Sequence, residues 1–68
     1  MKKKIFIEGM SCMHCVNHVK EALEDIGAKN VDVNLSAKTA VADFNETIKD
    51  NKIKDIIKDY GYEVVNIE

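Results

Sequence analysis

The sequence contains no arginine, no proline and no tryptophan, has only two cysteines, and nowhere runs more than three apolar residues together. Each shortage closes off a class of protein. Without arginine the chain lacks the planar fork best suited to bidentate contact with phosphate or guanine, and a net charge of −2 gives no general pull toward nucleic acid. Binding to DNA or RNA is not expected. Such short apolar runs cannot span a bilayer, and Met1-Lys2-Lys3-Lys4 leads straight into Ile5-Phe6-Ile7 without the apolar region of a secretory signal. The reading is a cytoplasmic protein that is not membrane-embedded. Two cysteines make a meagre disulfide framework for a secreted mini-protein, whereas in a reducing compartment a close pair points to a metal or redox site. Finally, 68 residues make a single domain, residues 1–68, that hides only about 60% of its unfolded surface. No deep walled cleft is expected, which argues against an enzyme.

What is present is an ordinary folding composition, 46% apolar and 32% charged. Residues 3–8 alternate around Ile5 and Ile7 and predict a strand closed by Glu8-Gly9. Val16, Val19, Ala22, Leu23 and Ile26 recur at spacings of three and four, predicting a helix over about 14–26 that stops at Gly27. Val31, Val33 and Leu35 alternate with Asp32 and Asn34; after a hairpin-length Ser36-Ala37-Lys38, residues 39–44 place Ala40, Ala42 and Phe44 on one face and Val41 on the other. Ile53, Ile56, Ile57 and Tyr60 mark a second helix, capped by Asp50, preceded by Ile48 as a staple and stopped by Gly61. Residues 62–67 make a last strand. The order βαββαβ predicts an α+β, ferredoxin-like sandwich: a four-stranded antiparallel sheet with both helices on one face.

Chemistry concentrates in Gly9-Met10-Ser11-Cys12-Met13-His14-Cys15, between the first strand and the first helix. The spacing places Cys12 in the loop and Cys15 in the first helical turn, so both sulfurs can gather round one point. Unpaired N–H groups and the positive end of the helix dipole favour thiolate there. A structural Zn²⁺ site or an iron–sulfur cluster takes four protein ligands, more than the two cysteines supply. Cu(I) prefers soft thiolates and accepts two or three of them in an open arrangement. An incomplete shell at the surface suits an ion that is passed on.

The wider G-M-x-C-x-x-C at a strand-to-helix junction, with Tyr60-Gly61-Tyr62-Glu63-Val64 near the end, resembles the heavy-metal-associated domain family over essentially the whole chain, and its small bacterial copper chaperones in particular. The resemblance implies that Cys12 and Cys15 bind Cu(I) and that the ion passes to the matching N-terminal domain of a copper-exporting P-type ATPase. An ion bridging two copies through four thiolates is left open. It further implies a structural role for Met10 and second-sphere places beside the metal for His14 and Tyr62.

The residues themselves permit plainer readings. Met10 has a soft thioether, but a Met just after a strand fills a gap in the core. Met13, between the cysteines, reads as a surface residue. His14 either hydrogen-bonds toward the thiolates or is simply a solvated histidine at a helix start. His18 extends the motif to C-x-x-C-x-x-H, a hint of a third zinc ligand, yet Val16 and Val19 define the buried stripe and leave His18 on the exposed face. Tyr62 reads as a core-edge aromatic opening the last strand, and Tyr60 as packing at the end of the second helix. Phe6, Val41, Val65 and Ile67 are expected on the open face of the sheet, as an apolar patch or as scattered surface residues.

Three rival functions share these features. A thiol–disulfide oxidoreductase would use Cys12 as a low-pKa nucleophile and Cys15 as resolving thiol. Against it, the chain is shorter than a thioredoxin-like domain and has no proline for the cis turn of such domains. A carrier of Zn²⁺ or Hg²⁺ would keep the fold, but neither Ser11 nor Met13 offers the carboxylate that zinc favours. An excised metal-binding domain of a transporting ATPase would look the same, although the Met start and an end just past the last strand favour a free-standing chaperone.

Overall fold

The computed structural model describes residues 2–68. Its elements are β1 (Lys2–Glu8), α1 (Met13–Asp25), β2 (Lys29–Asn34), β3 (Thr39–Asp43), α2 (Asp50–Asp59) and β4 (Glu63–Ile67). All strand pairs are antiparallel, in the order β2-β3-β1-β4. This is the ferredoxin-like sandwich that the hydropathy pattern predicts.

Alternation decides which side of the sheet is covered. Ile5 and Ile7 of β1 and Ala40 and Ala42 of β3 are all buried, and they meet Val19, Ala22 and Leu23 of α1 and Ile53 and Ile57 of α2 in one core. Small alanines on β3 let α1 lie close over the sheet, and the bulky isoleucines of β1 fill the centre. No helix among the described residues is long and apolar enough to cross a membrane.

Local chemistry shifts several boundaries. Lys49, not Asp50, is the N-cap of α2, and no side chain caps it. Asp50 is the first helical residue, and its carboxylate pairs with the Lys3 ammonium, tying the start of α2 to β1. Ile48 precedes the cap and is buried, as a staple should be. The last turn of α2 ends on two backbone bonds, Gly61 N–H to the Lys58 carbonyl and Tyr62 N–H to that of Ile57. This is the Schellman arrangement, and it needs Gly61 at φ +96°, a conformation open to glycine. Tyr62 therefore spends its N–H on the helix and precedes β4 rather than opening it.

The open face of the sheet is less apolar than alternation suggests. The pairing of β1 with β4 shifts between Phe6 and Ile7, so Ile67 falls opposite Ile5 and packs against the core. Val65 is 60% exposed, and Phe6 is half-buried with the Lys4 ammonium 5.3 Å above its ring. Lys2 lies across from Asp43, and Asp32 across from Val41. The expected patch is reduced to Phe6, Val41 and Val65 among charged neighbours.

Candidate metal centre

The loop from β1 to α1 is short and fixed at both ends. At Gly9 the backbone takes φ +100°, and a Cβ there would come within 3.4 Å of the Tyr62 ring. The positive φ is what calls for glycine, since a Cβ at that distance from the Tyr62 ring would be in ordinary contact. Met10 is only 5% exposed and belongs to the core, so its side chain anchors the loop from below. Beyond it the chain rises to the surface at Ser11 and Cys12, and α1 begins.

Cys12 is the N-cap of α1, and its extended backbone (φ −158°, ψ 174°) lets its carbonyl accept the N–H groups of Cys15 and Val16. Its thiol makes no capping bond to the helix, and the first turn carries no acidic side chain. The partial positive charge of the helix start is left facing the sulfurs. Cys15 stands three residues on, one turn of helix, which brings its Sγ to 3.7 Å from the Cys12 Sγ. Both thiols are free, Cys12 exposed and Cys15 half-buried.

The Cys15 thiol is lowered from 9.0 to about 6, first by a hydrogen bond from the Ser11 backbone and next by one from the Tyr62 hydroxyl. Cys12 contributes through its side chain and backbone, and partial burial acts in the opposite direction. Tyr62 is pushed up to about 12, chiefly by its hydrogen bond to Cys15, then by burial and by the sulfur charges. At neutral pH Tyr62 keeps its proton and acts as a donor to sulfur. The rival redox reading assigns the low pKa to Cys12; the structure gives the lowered value to Cys15, the less exposed sulfur.

Linkage gives this shift a measurable consequence. A thiol whose folded pKa is depressed adds stability that is fully present above its unfolded pKa and is lost as pH falls through the folded one. For Cys15 that window runs from 9.0 down to about 6. The urea midpoint of the reduced, metal-free protein is therefore expected to rise from pH 6 to pH 9, and Cys15→Ser to flatten the rise. The raised Tyr62 value acts only above pH 10, outside the window. Equal pH slopes for the two proteins would contradict the assignment.

The other expected site residues separate into those near the sulfurs and those away from them. His14 is exposed on the first turn, and among the described residues none hydrogen-bonds its ring. Met13 is 64% exposed. His18 is exposed, as its place on the helix predicts, but its Nδ1 lies 3.1 Å from the Tyr62 hydroxyl. That contact joins residues 44 apart in sequence, and no local pattern signals it. Tyr60 points elsewhere: its hydroxyl donates to Asp25 Oδ2 at 2.8 Å and ties the ends of the two helices together.

The pair can hold a soft ion. Metal–thiolate bonds of about 2.3 Å, the zinc value, would span the 3.7 Å gap at an angle of about 110°, well short of linear. Room for a third ligand is left on the outer side. Among the described residues no group of three or more His, Cys, Asp or Glu side chains is placed to hold an ion, so His18 does not complete a zinc site.

Comparison with known proteins agrees with this geometry. Residues 4–63 match the heavy-metal-associated domain family. The copper chaperone CopZ of Staphylococcus aureus (strain JH9) is 39% identical over 61 residues, covering 87% of this chain and 90% of that one. Among solved structures, a CopZ metallochaperone superposes with a TM-score of 0.88 at 34% identity, over 96% of this chain and all of the other. A copper-binding domain from HMA7, a P-type ATPase, gives 0.85 at 30% identity, over 100% of this chain and 99% of that domain. With the βαββαβ sandwich and the paired sulfurs, the match across 60 of 68 residues leaves one conclusion: the chain belongs to the heavy-metal-associated domain family.

Proposed function

We propose that this protein is a cytoplasmic copper chaperone that binds one Cu(I) through Cys12 and Cys15 and passes it to a metal-binding domain of a copper-exporting P-type ATPase. The observation that carries the reading is the open pair of sulfurs, 3.7 Å apart at an uncompensated helix start. Soft thiolates select Cu(I), and two of them leave its coordination shell incomplete. The likeness to copper chaperones and to a copper-binding ATPase domain supports the same choice.

Transfer then needs no redox step and no free ion. A thiolate of the partner enters on the outer side and forms a third copper–sulfur bond. The bond to one of the chain's own cysteines then breaks, and a second exchange completes the handover. Cys12, the more exposed sulfur, is the natural first point of contact. The similarity to an ATPase domain favours a second reading, in which the chain serves as such a receiving domain. The chemistry at Cys12 and Cys15 is common to both.

The test is direct transfer. Copper-loaded protein mixed under anaerobic conditions with the metal-free domain of a copper-exporting ATPase should hand over Cu(I), followed by ¹⁵N spectra of each partner in turn. A dialysis membrane between them should slow the exchange sharply. Equal rates with and without the membrane would show that the ion travels free and would overturn the chaperone reading.

A further inference from the structure

Tyr62 stands between two groups, and its single hydroxyl proton cannot serve both. An ion-bound Cys15 sulfur only accepts, so the hydrogen bond that reaches it from the Tyr62 hydroxyl uses that proton. His18 Nδ1 lies 3.1 Å from the same hydroxyl, with ring centroids 6.5 Å apart and the planes inclined at 41°. Both contacts are satisfied by one arrangement of protons: Nδ1–H of His18 donates to the Tyr62 oxygen, and the Tyr62 O–H donates to sulfur.

We propose that His18 is a positioning residue for the sulfur pair, holding the Tyr62 hydroxyl toward Cys15 from a neighbouring turn of α1 and so restricting the side from which a competing ligand reaches the bound ion. The proposal rests on the reading of Cys12 and Cys15 as the Cu(I) site. Geometry supplies the rest. Cys15 and His18 are one helical turn apart on α1, so they present their side chains to the same part of Tyr62. Tyr62 itself follows the α2 terminus, with its N–H held by the Ile57 carbonyl and its ring against Gly9. Its backbone and ring are thus fixed by α2 and the loop, and His18 fixes the remaining freedom, the direction of the O–H. Hydrogen bonds in such a chain reinforce one another. Without His18 the phenol can turn its proton to water and away from the sulfur.

Two measurements test this. With Cu(I) bound, ¹⁵N spectra of the His18 ring should show the proton on Nδ1 with Nε2 bare; the opposite tautomer would reverse the Tyr62 bond and overturn the proposal. In the copper-loaded protein, the rate of Cu(I) loss to bathocuproine disulfonate is compared among variants. His18→Leu, which keeps bulk without a donor, should speed loss about five-fold, the scale of one ordinary hydrogen bond. His18→Asn, whose amide nitrogen falls where Nδ1 lies, should restore a rate within about two-fold of the original. Tyr62→Phe should match His18→Leu, and the double variant should add nothing, since the two act as a unit. Equal release from the original protein and His18→Leu, or full additivity with Tyr62→Phe, would overturn the positioning role alone. Failure of the original protein to hold Cu(I) any better than its double Cys→Ser variant would overturn the copper reading, and the proposal with it.

Discussion

Replacing Cys12 and Cys15 together with serine is expected to abolish Cu(I) binding and leave the fold intact. A serine hydroxyl is a hard, neutral oxygen that does not ionise at neutral pH, so both soft donors vanish at once. Neither cysteine is a buried core residue: Cys12 is exposed and Cys15 half-buried. At position 12 the change improves local structure. Cys12 is the N-cap of α1 without a side-chain capping bond, and serine at an N-cap is worth about 1 kcal/mol over residues that cannot cap. Anaerobic competition against a Cu(I) chelator, with urea denaturation alongside, checks both halves. A double variant that still bound Cu(I) tightly would place the metal elsewhere, and one that unfolded would make the loop a structural element.

The second large effect is expected in the core. Ile57 is fully buried on α2, packs in the core under the helices, and its carbonyl accepts the Tyr62 N–H. Truncation to alanine should cost about 2–5 kcal/mol, against a total of roughly 3–10 kcal/mol for a domain this small. A large share of the metal-free population would then be unfolded or nearly so. Copper binding only to the folded state should rescue the variant, by about 2.7 kcal/mol at a free-ion level one hundred times Kd. Urea midpoints of Ile57→Ala with and without Cu(I) test this. A loss below about 1 kcal/mol, or a midpoint that ignores copper, would contradict the coupling of fold and site.

Most of this architecture was legible in the sequence because it depends on short-range repeats. Ile5 and Ile7 two apart, Val16, Val19 and Leu23 three and four apart, and glycine after each helix all announce their elements without knowledge of the fold. The Cys12–Cys15 pair is legible for the same reason, since a spacing of three on a helix start brings two side chains together. Features set by tertiary contact were not. Asp50 resembles a cap in sequence, but Lys3 draws its carboxylate into an ion pair instead. Tyr62 resembles the start of a strand, but the helix-terminating bond to Ile57 claims its N–H. Alternation alone turns Ile67 outward, but one shift in the β1–β4 pairing sets it opposite Ile5 on the core side. His18 looked like a solvated helix residue because its partner lies 44 residues away.

Two surface thiolates, with no third ligand among the described residues, should select a soft monovalent ion. Anaerobic competition of Cu(I) and Zn²⁺ for the reduced protein, read by native mass spectrometry at matched free-metal levels, tests it most directly. One Cu(I) per chain is expected, held against Zn²⁺ and absent from the double Cys→Ser variant, with any copper-bridged pair of chains dissolving when the partner domain is added. Zn²⁺ bound as well as Cu(I), or copper retained without the cysteines, would contradict it.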